Sequence, residues 1–496
     1  MFSEPIMLVT SLGYFFLLVI ISTTSCEEFN LYGEAGQAYA LEIDVGHPQQ
    51  KLSVLVDTGS TTLAIASYAR KDSNKYFRSE NSTSIYNSEK EVQAKYSQGT
   101  WVGHLVSDFV KFPSLATVPE VRCDIALITK SHKFFMNGSG WQGLLGLAYL
   151  PVGAWGENVV VGSWLDSVEK ALNKAMSFQL KLCGVKSSTN ATHYGKFEML
   201  DDDTISTNHN VAFRTPILRK RWYEVGVLSI RVISKRNASM NIDRNVTKDS
   251  GDNLDVDQEN CVKLNEEKSI VDSGTTNIRL PDILFREVVN ELRNAAQTSN
   301  MLILDEFWYH GEAACWPEPQ EWSLPPIAID LLSADADNQY FTLQIPPQNF
   351  MRVVTARNNS GEGGSVSEFC YKLGLEAGGK ETVLGYTAME GLQVLFNRSA
   401  GWIGWYPSDC GPNAKVTGPH NVSTSLLSLC QLTKPVPDVA VSIKAAQWTL
   451  CAISIIAAAV LIYLLAPCIK MMLVSPLPMS QQISLSQAAL VEQDTT

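Results

Sequence analysis

Hydrophobic residues fall along this chain in three different rhythms. Tyr39, Leu41, Ile43 and Val45 alternate with small or charged residues, as in a half-buried strand. Phe341, Leu343 and Ile345 repeat that period of two, and Leu52, Val54 and Val56 lead directly into Asp57. Helical spacing is rarer. Leu284, Val288, Leu292 and Ala295 mark one face of a helix starting at Asp282 after Pro281. Leu165, Val168 and Leu172 predict a counterpart in the first half. The stretch 235–268 is polar and aperiodic, and reads as an exposed excursion. The expected body is therefore mostly β.

The third rhythm is unbroken apolarity at the two ends. Ile6 to Ile21 is almost wholly apolar, and small residues follow up to Ser25 and Cys26. This predicts a signal peptide over residues 1–26, although Glu4 stands where a basic residue is usual. A second uncharged stretch, residues 445–466, is near the ~20 residues that cross a bilayer. Lys444 precedes it and Lys470 follows it. Together these predict a single-pass type I membrane protein whose body enters the secretory pathway, bound for the Golgi, endosomes or the cell surface, with residues 467–496 as a short cytoplasmic tail. Cys468 at that boundary is placed either for palmitoylation or as a free thiol.

Composition adds two points. Apolar residues make up 45% of the chain and charged residues 18%, which excludes a disordered chain. The formal charge of −12, with no basic run, argues against a nucleic-acid partner. Eight N-x-S/T sequons (Asn81, Asn137, Asn190, Asn237, Asn245, Asn358, Asn397 and Asn421) all precede the apolar span. Cys183, Cys261, Cys315, Cys370, Cys410 and Cys430 suggest three disulfides, for which spacing alone leaves 15 pairings open. Cys123, in an apolar run, is expected to be a buried thiol.

The chemistry lies in an internal repeat. Val54-Leu55-Val56-Asp57-Thr58-Gly59-Ser60 matches Ser269-Ile270-Val271-Asp272-Ser273-Gly274-Thr275. Each is followed by a second apolar-glycine element, Gly143-Leu144-Leu145-Gly146-Leu147 and Thr382-Val383-Leu384-Gly385-Tyr386. Two lobes of one design follow, over 30–182 and 183–434. If the lobes bring Asp57 and Asp272 face to face, both cannot ionise cheaply, and one proton is shared. The ionised carboxylate can then deprotonate a water while the protonated one donates to a carbonyl oxygen. Such hydrolysis needs no metal and no cofactor. The seven histidines are scattered, and H-E-x-x-H, G-x-S-x-G and phosphate-loop patterns are absent.

These residues resemble the pepsin-like aspartic protease family, and in particular its membrane-anchored β-secretase branch. Asn30-Leu31-Tyr32-Gly33, residues 133–139, residues 141–149 and Ile270 to Pro281 carry the resemblance, which runs to about Cys430. It implies a bilobal β fold with a cleft and Asp57 and Asp272 as the catalytic pair. Gly59, Gly274, Thr275 and Thr276 would bind substrate beside them. Lys95 to Trp101 would be a flap whose Tyr96 closes over a peptide, supported by Trp101. Arg279 would lie in the cleft and favour acidic or polar side chains. The family pattern pairs Cys183 with Cys410, Cys261 with Cys430, and Cys315 with Cys370. Expected partners are polypeptides, in particular single-span membrane proteins, together with the bilayer.

Three features depart from the family or do not settle it. Ala64 stands where many pepsin-like enzymes carry tryptophan, an alanine shared with β-secretases. Few residues separate the expected signal cleavage from Asn30, so a basic-site prosegment is expected to be absent. Ile483-Ser484-Leu485 lacks the acidic dileucine pattern of endosomal sorting. A general endolysosomal or digestive protease, and a catalytically silent binding ectodomain on the same fold, are the alternative readings.

Overall fold

The structure, a computed structural model, describes residues 29–34, 38–71, 73–97, 99–136, 139–149, 161–187, 190–208, 213–233, 256–298, 303–361, 364–433 and 439–473. The expected signal peptide, most of the tail, and the sequons Asn137, Asn237 and Asn245 lie outside the described residues. By contacts the chain divides into two units, Met1–Thr433 and Lys434–Thr496.

Strands dominate the first unit. Ala40–Val45 and Gln50–Asp57 form a hairpin in which Leu41 faces Val54 and Ile43 faces Leu52. Their alternating apolar positions are buried, which is what fixes the register: a one-residue slip would turn that face to water. Both belong to a thirteen-stranded sheet. From the hairpin it continues through Gly143–Gly146, Leu63–Ala66, Val121–His132 and Gly99–Lys111 to an edge strand, Tyr86–Tyr96. On the other side it passes through Leu31–Glu34, Asn190–Asp201 and Met176–Ser187 to Leu392–Asn397, Trp402–Pro407 and Phe213–Pro216. The pairing of Val394 with Leu180 stitches the two halves of the chain into one sheet.

The internal repeat becomes a repeated strand arrangement. Gln50–Asp57 runs parallel to Gly143–Gly146, with Asp57 level with Gly146. Ser269–Asp272 runs parallel to Thr382–Gly385, with Asp272 level with Gly385. The strand after each turn then pairs antiparallel to the second element, Ala64 against Leu144 and Arg279 against Val383. The unbroken apolar runs before each aspartate suit strands buried on both faces.

The expected helices form. Trp164–Leu172 is capped by Ser163, whose hydroxyl accepts from the Asp166 N–H, and buries Trp164, Leu165 and Val168. Asp282–Thr298 buries Leu284, Val288 and Leu292 on the expected face, together with Phe285, Val289 and Ala296, and Ala295 is partly buried against the same core. One expectation is corrected. The stretch 235–268 is not all exposed excursion, because Gln258–Leu264 is a helix with Cys261 and Leu264 buried. Asp257 caps it by accepting from the Glu259 N–H, a signal hidden by the polar composition around it.

Disulfides join Cys183 to Cys410, Cys261 to Cys430 and Cys315 to Cys370. Cys123 is buried, and burial followed by Asp124 and Asp108 pushes its thiol pKa up, so it stays protonated. Among the sequons, Asn81 and Asn421 are exposed, and Asn190 and Asn358 lie in strands Asn190–Asp201 and Met351–Gly361. Asn397 does not suit a glycan: it is 4% exposed, and its amide oxygen accepts from Ser399 and the Ala400 N–H.

The second unit holds one long helix, Val439–Leu473. Its segment Trp448–Ala466 has mean hydropathy 2.6 over 19 residues, enough to cross a membrane.

Candidate active site

Each aspartate is delivered by a buried strand end and held by the turn that follows it. The Gly59 N–H donates to Asp57 Oδ1 at 2.8 Å, and the Gly274 N–H donates to Asp272 Oδ1 at 2.9 Å. The Thr275 hydroxyl donates to Asp272 Oδ2 at 2.7 Å. Both carboxyls are therefore fixed on one oxygen by a main-chain donor two residues on.

The two turns lock onto one another. The Thr58 hydroxyl donates to the Val271 carbonyl at 2.9 Å and accepts from the Ser273 N–H at 2.9 Å. The Ser273 hydroxyl donates to the Val56 carbonyl at 2.7 Å and accepts from the Thr58 N–H at 3.1 Å. Thr58 is fully buried and Ser273 nearly so, so these four bonds form without competing water. This is why the residue after each aspartate carries a hydroxyl: one group supplies both a donor and an acceptor across the lobe boundary.

The glycines serve a purpose the sequence did not reveal. Neither needs an unusual backbone conformation. A Cβ on Gly59 would sit 2.5 Å from Asp272 Oδ2, and a Cβ on Gly274 would sit 2.3 Å from Asp57 Oδ1. Each glycine clears space for the opposite lobe's carboxyl, so the aspartates face each other across paired glycines. Burial and then the Asp272 carboxyl raise the Asp57 pKa well above the usual carboxylate range, partly offset by the Ser60 side chain and then the Gly59 N–H.

The aspartates open into a cleft of about 660 Å³. Gly59, Gly274, Thr275, Thr276, Tyr96 and Arg279 all line it. Tyr96 ends the edge strand and pairs with Gly99 across a tight hairpin. Its ring lies 5.4 Å from Phe134. Burial and then the charge of Asp57 raise its pKa, while a hydrogen bond with the Trp101 side chain opposes the shift. Trp101 is buried, and the raised pKa keeps Tyr96 a neutral phenol on the wall of the cleft.

Arg279 is in the cleft but is not a free charge. Its Nε lies 2.9 Å from Glu376 and its Nη1 3.8 Å from Glu381. Asn277 in turn donates to Glu376 at 2.9 Å. Its pull on a substrate carboxylate is reduced accordingly. Glu376 and Glu381 are not foreseen from the sequence, nor is Arg221, which also lines the cleft and stacks on Trp222 at 4.3 Å. No periodicity or motif marks them: Glu376 meets Arg279 as its register partner on the neighbouring parallel strand, Leu375–Ala377 beside Ile278–Leu280. Among the described residues no group of three or more histidine, cysteine or acidic side chains is arranged to hold a metal.

Comparison with known proteins agrees with this geometry. The eukaryotic aspartyl protease family matches residues 38–406. A β-secretase of Strongylocentrotus purpuratus is 31% identical over 409 residues, covering 78% of this chain and 70% of that protein. Vacuolar protease A of Aspergillus fumigatus is 26% identical over 263 residues, covering 50% of this chain and 56% of that one. The match spans both Asp-hydroxyl-Gly turns and the cleft between them, and the chain belongs to the eukaryotic aspartyl protease family.

Proposed function

We propose that this protein is a membrane-tethered aspartic endopeptidase, β-secretase-like in its choice of membrane-protein ectodomains. The observation that carries the reading is the facing pair, Asp57 and Asp272, each held by its own turn and cleared by the other's glycine. In the proposed mechanism the pair holds one proton and one water. The ionised member removes a proton from the water as it attacks the peptide carbonyl. The other member protonates the carbonyl oxygen, giving a neutral tetrahedral diol with no bond to the enzyme. The proton taken from the water then passes to the nitrogen while the other carboxylate takes a hydroxyl proton from the diol, so that the C–N bond breaks, the C=O bond re-forms, and the pair again holds one proton. Tyr96 closes over the peptide and excludes water from the developing charge.

The apolar helix segment Trp448–Ala466 supports the tether, and the three disulfides suit an oxidising compartment. A tether holds the cleft in a thin layer above the bilayer and raises the effective concentration of substrates anchored beside it. The test uses the full chain in membranes, with one peptide sequence presented free and fused to a single-span anchor. Cleavage at acidic pH, blocked by a statine-type mimic and faster for the anchored form, is expected. Equal cleavage of both forms removes the tether from the account, and no cleavage of either removes the enzyme.

A further inference from the structure

Asp57 and Asp272 end matching strands, yet their main chains are held differently. The Leu147 N–H donates to the Asp57 carbonyl at 2.8 Å. At the matching place in the second lobe, the Tyr386 N–H donates to the Thr275 carbonyl instead, at 2.9 Å. The Asp272 carbonyl accepts from the Thr275 N–H at a longer 3.3 Å. The main chain of Asp57 thus depends on Leu147, and the question is what holds Leu147.

Two side chains from the other lobe do. Arg398 Nη1 donates to the Leu147 carbonyl at 2.9 Å, and the Tyr223 hydroxyl donates to the same oxygen at 2.7 Å. Arg398 Nη1 also donates to the Tyr223 oxygen at 3.1 Å, closing a triangle. The guanidinium is 8% exposed and lies 4.5 Å over the Tyr149 ring. Its acidic neighbours on the helix Trp164–Leu172 are more distant, Asp166 at 3.8 Å and Glu169 at 4.0 Å. A buried arginine retained for ion pairing would meet a carboxylate in a short, forked contact. Here the short contact is to a carbonyl one hydrogen bond from the reactive aspartate, and the acids only balance the charge.

We infer that Arg398 is a positioning residue: with Tyr223 it reaches across the lobe boundary to hold the Leu147 carbonyl, and through the Leu147 N–H it fixes the main chain of Asp57 against Asp272. The inference rests on the aspartate pair being the reactive centre.

The test uses the full-length protein in detergent, with active sites counted by titration with a statine-type inhibitor. Arg398→Lys keeps the positive charge, but its shorter side chain without the planar guanidinium cannot hold a nitrogen where Nη1 now donates to both the Leu147 carbonyl and the Tyr223 oxygen. Expected is a kcat per titrated site lower by roughly 10- to 100-fold, the scale of a misplaced reacting group, with KM within about threefold. The alkaline limb of the pH profile also moves to lower pH, because Asp57, faced by Asp272 and Tyr96, relaxes toward an ordinary carboxylate. A lower melting temperature with unchanged kcat per site and an unmoved pH profile would mean a merely structural arginine and would overturn the inference. If Arg398→Lys does not fold, Tyr223→Phe decides: it removes one hydroxyl and keeps the ring. A smaller loss of kcat with the same direction of pH movement supports the inference, and unchanged kinetics overturn it. An inactive wild-type protein overturns both this and the function it rests on, whereas an active wild type with unaltered variants overturns this alone.

Discussion

Replacing Gly274 by alanine tests whether the pair faces itself across glycines. The new methyl carbon would lie 2.3 Å from Asp57 Oδ1 and 2.6 Å from its Cγ. An ordinary contact needs at least ~3.4 Å, so something must move by about 1 Å. Asp57 cannot swing away freely, because the Gly59 N–H grips the same oxygen at 2.8 Å and the Leu147 N–H holds its carbonyl. Relief by spreading the lobes would break the four bonds between Thr58, Ser273 and the strands behind them. Overpacking of this kind costs about 1–3 kcal/mol of stability. Displacing a reacting carboxylate by ~1 Å costs on the order of 10²-fold in kcat, or roughly 2.7 kcal/mol of barrier. Activity should therefore fall further than the shift in melting temperature explains. Peptide hydrolysis at acidic pH and thermal unfolding measure the two. Gly140→Ala is the control, since nothing lies within 4 Å of its added carbon. A folded Gly274→Ala protein with kcat within threefold of wild type would refute the reasoning.

Other consequences follow from the same contacts. Thr58→Val should destabilise the fold by about 1–3 kcal/mol, and a double-mutant cycle with Ser273→Ala should be strongly non-additive, because the two residues share one network; additive losses would contradict it. The raised Asp57 pKa stabilises the fold below the ordinary carboxylate range and loses that contribution as pH rises toward the native value. Asp57→Asn should consequently raise the melting temperature at pH 7 more than at pH 4, and an equal change at both pH values would refute the linkage. Trp101→Phe should lower kcat/KM several-fold by freeing the Tyr96 hydroxyl, and also lower the melting temperature because it shrinks a buried side chain; unaltered kinetics would show that Tyr96 needs no such support. Glycopeptide mass spectrometry should find Asn397 unoccupied while the exposed Asn81 and Asn421 are open to modification, and a glycan on Asn397 would contradict its burial.

The fold was legible because the repeat is local. Seven consecutive residues around Asp57 match seven around Asp272, and a buried strand ending in a tight turn leaves that kind of short signature. The helix Asp282–Thr298 was legible from its apolar period, and Ala295 and Ala296 both pack against the core its period faces. What sequence did not disclose depends on segments distant in the chain meeting. The packing of Gly59 on Asp272 joins residues more than two hundred positions apart, and nothing in either turn announces it. The pairing of Arg279 with Glu376 and Glu381 changes its chemistry, yet each acid sits in unremarkable surroundings. Arg398 lies in an apparent sequon, Asn397-Arg398-Ser399, and its reach to Leu147 appears only once the two lobes share a sheet. The helix Gln258–Leu264 was missed because a polar stretch can still fold when a cap and a disulfide fix it.

The central claim is that Asp57 and Asp272 act as one unit. The direct measurement is peptide hydrolysis by Asp57→Asn, Asp272→Asn and the double variant, each shown folded by its melting curve. The account predicts that either single change removes at least ~10³-fold of kcat and that the double variant is no slower than the singles, since a unit is lost only once. A single variant that keeps a tenth of wild-type activity, or losses that multiply in the double, would contradict it.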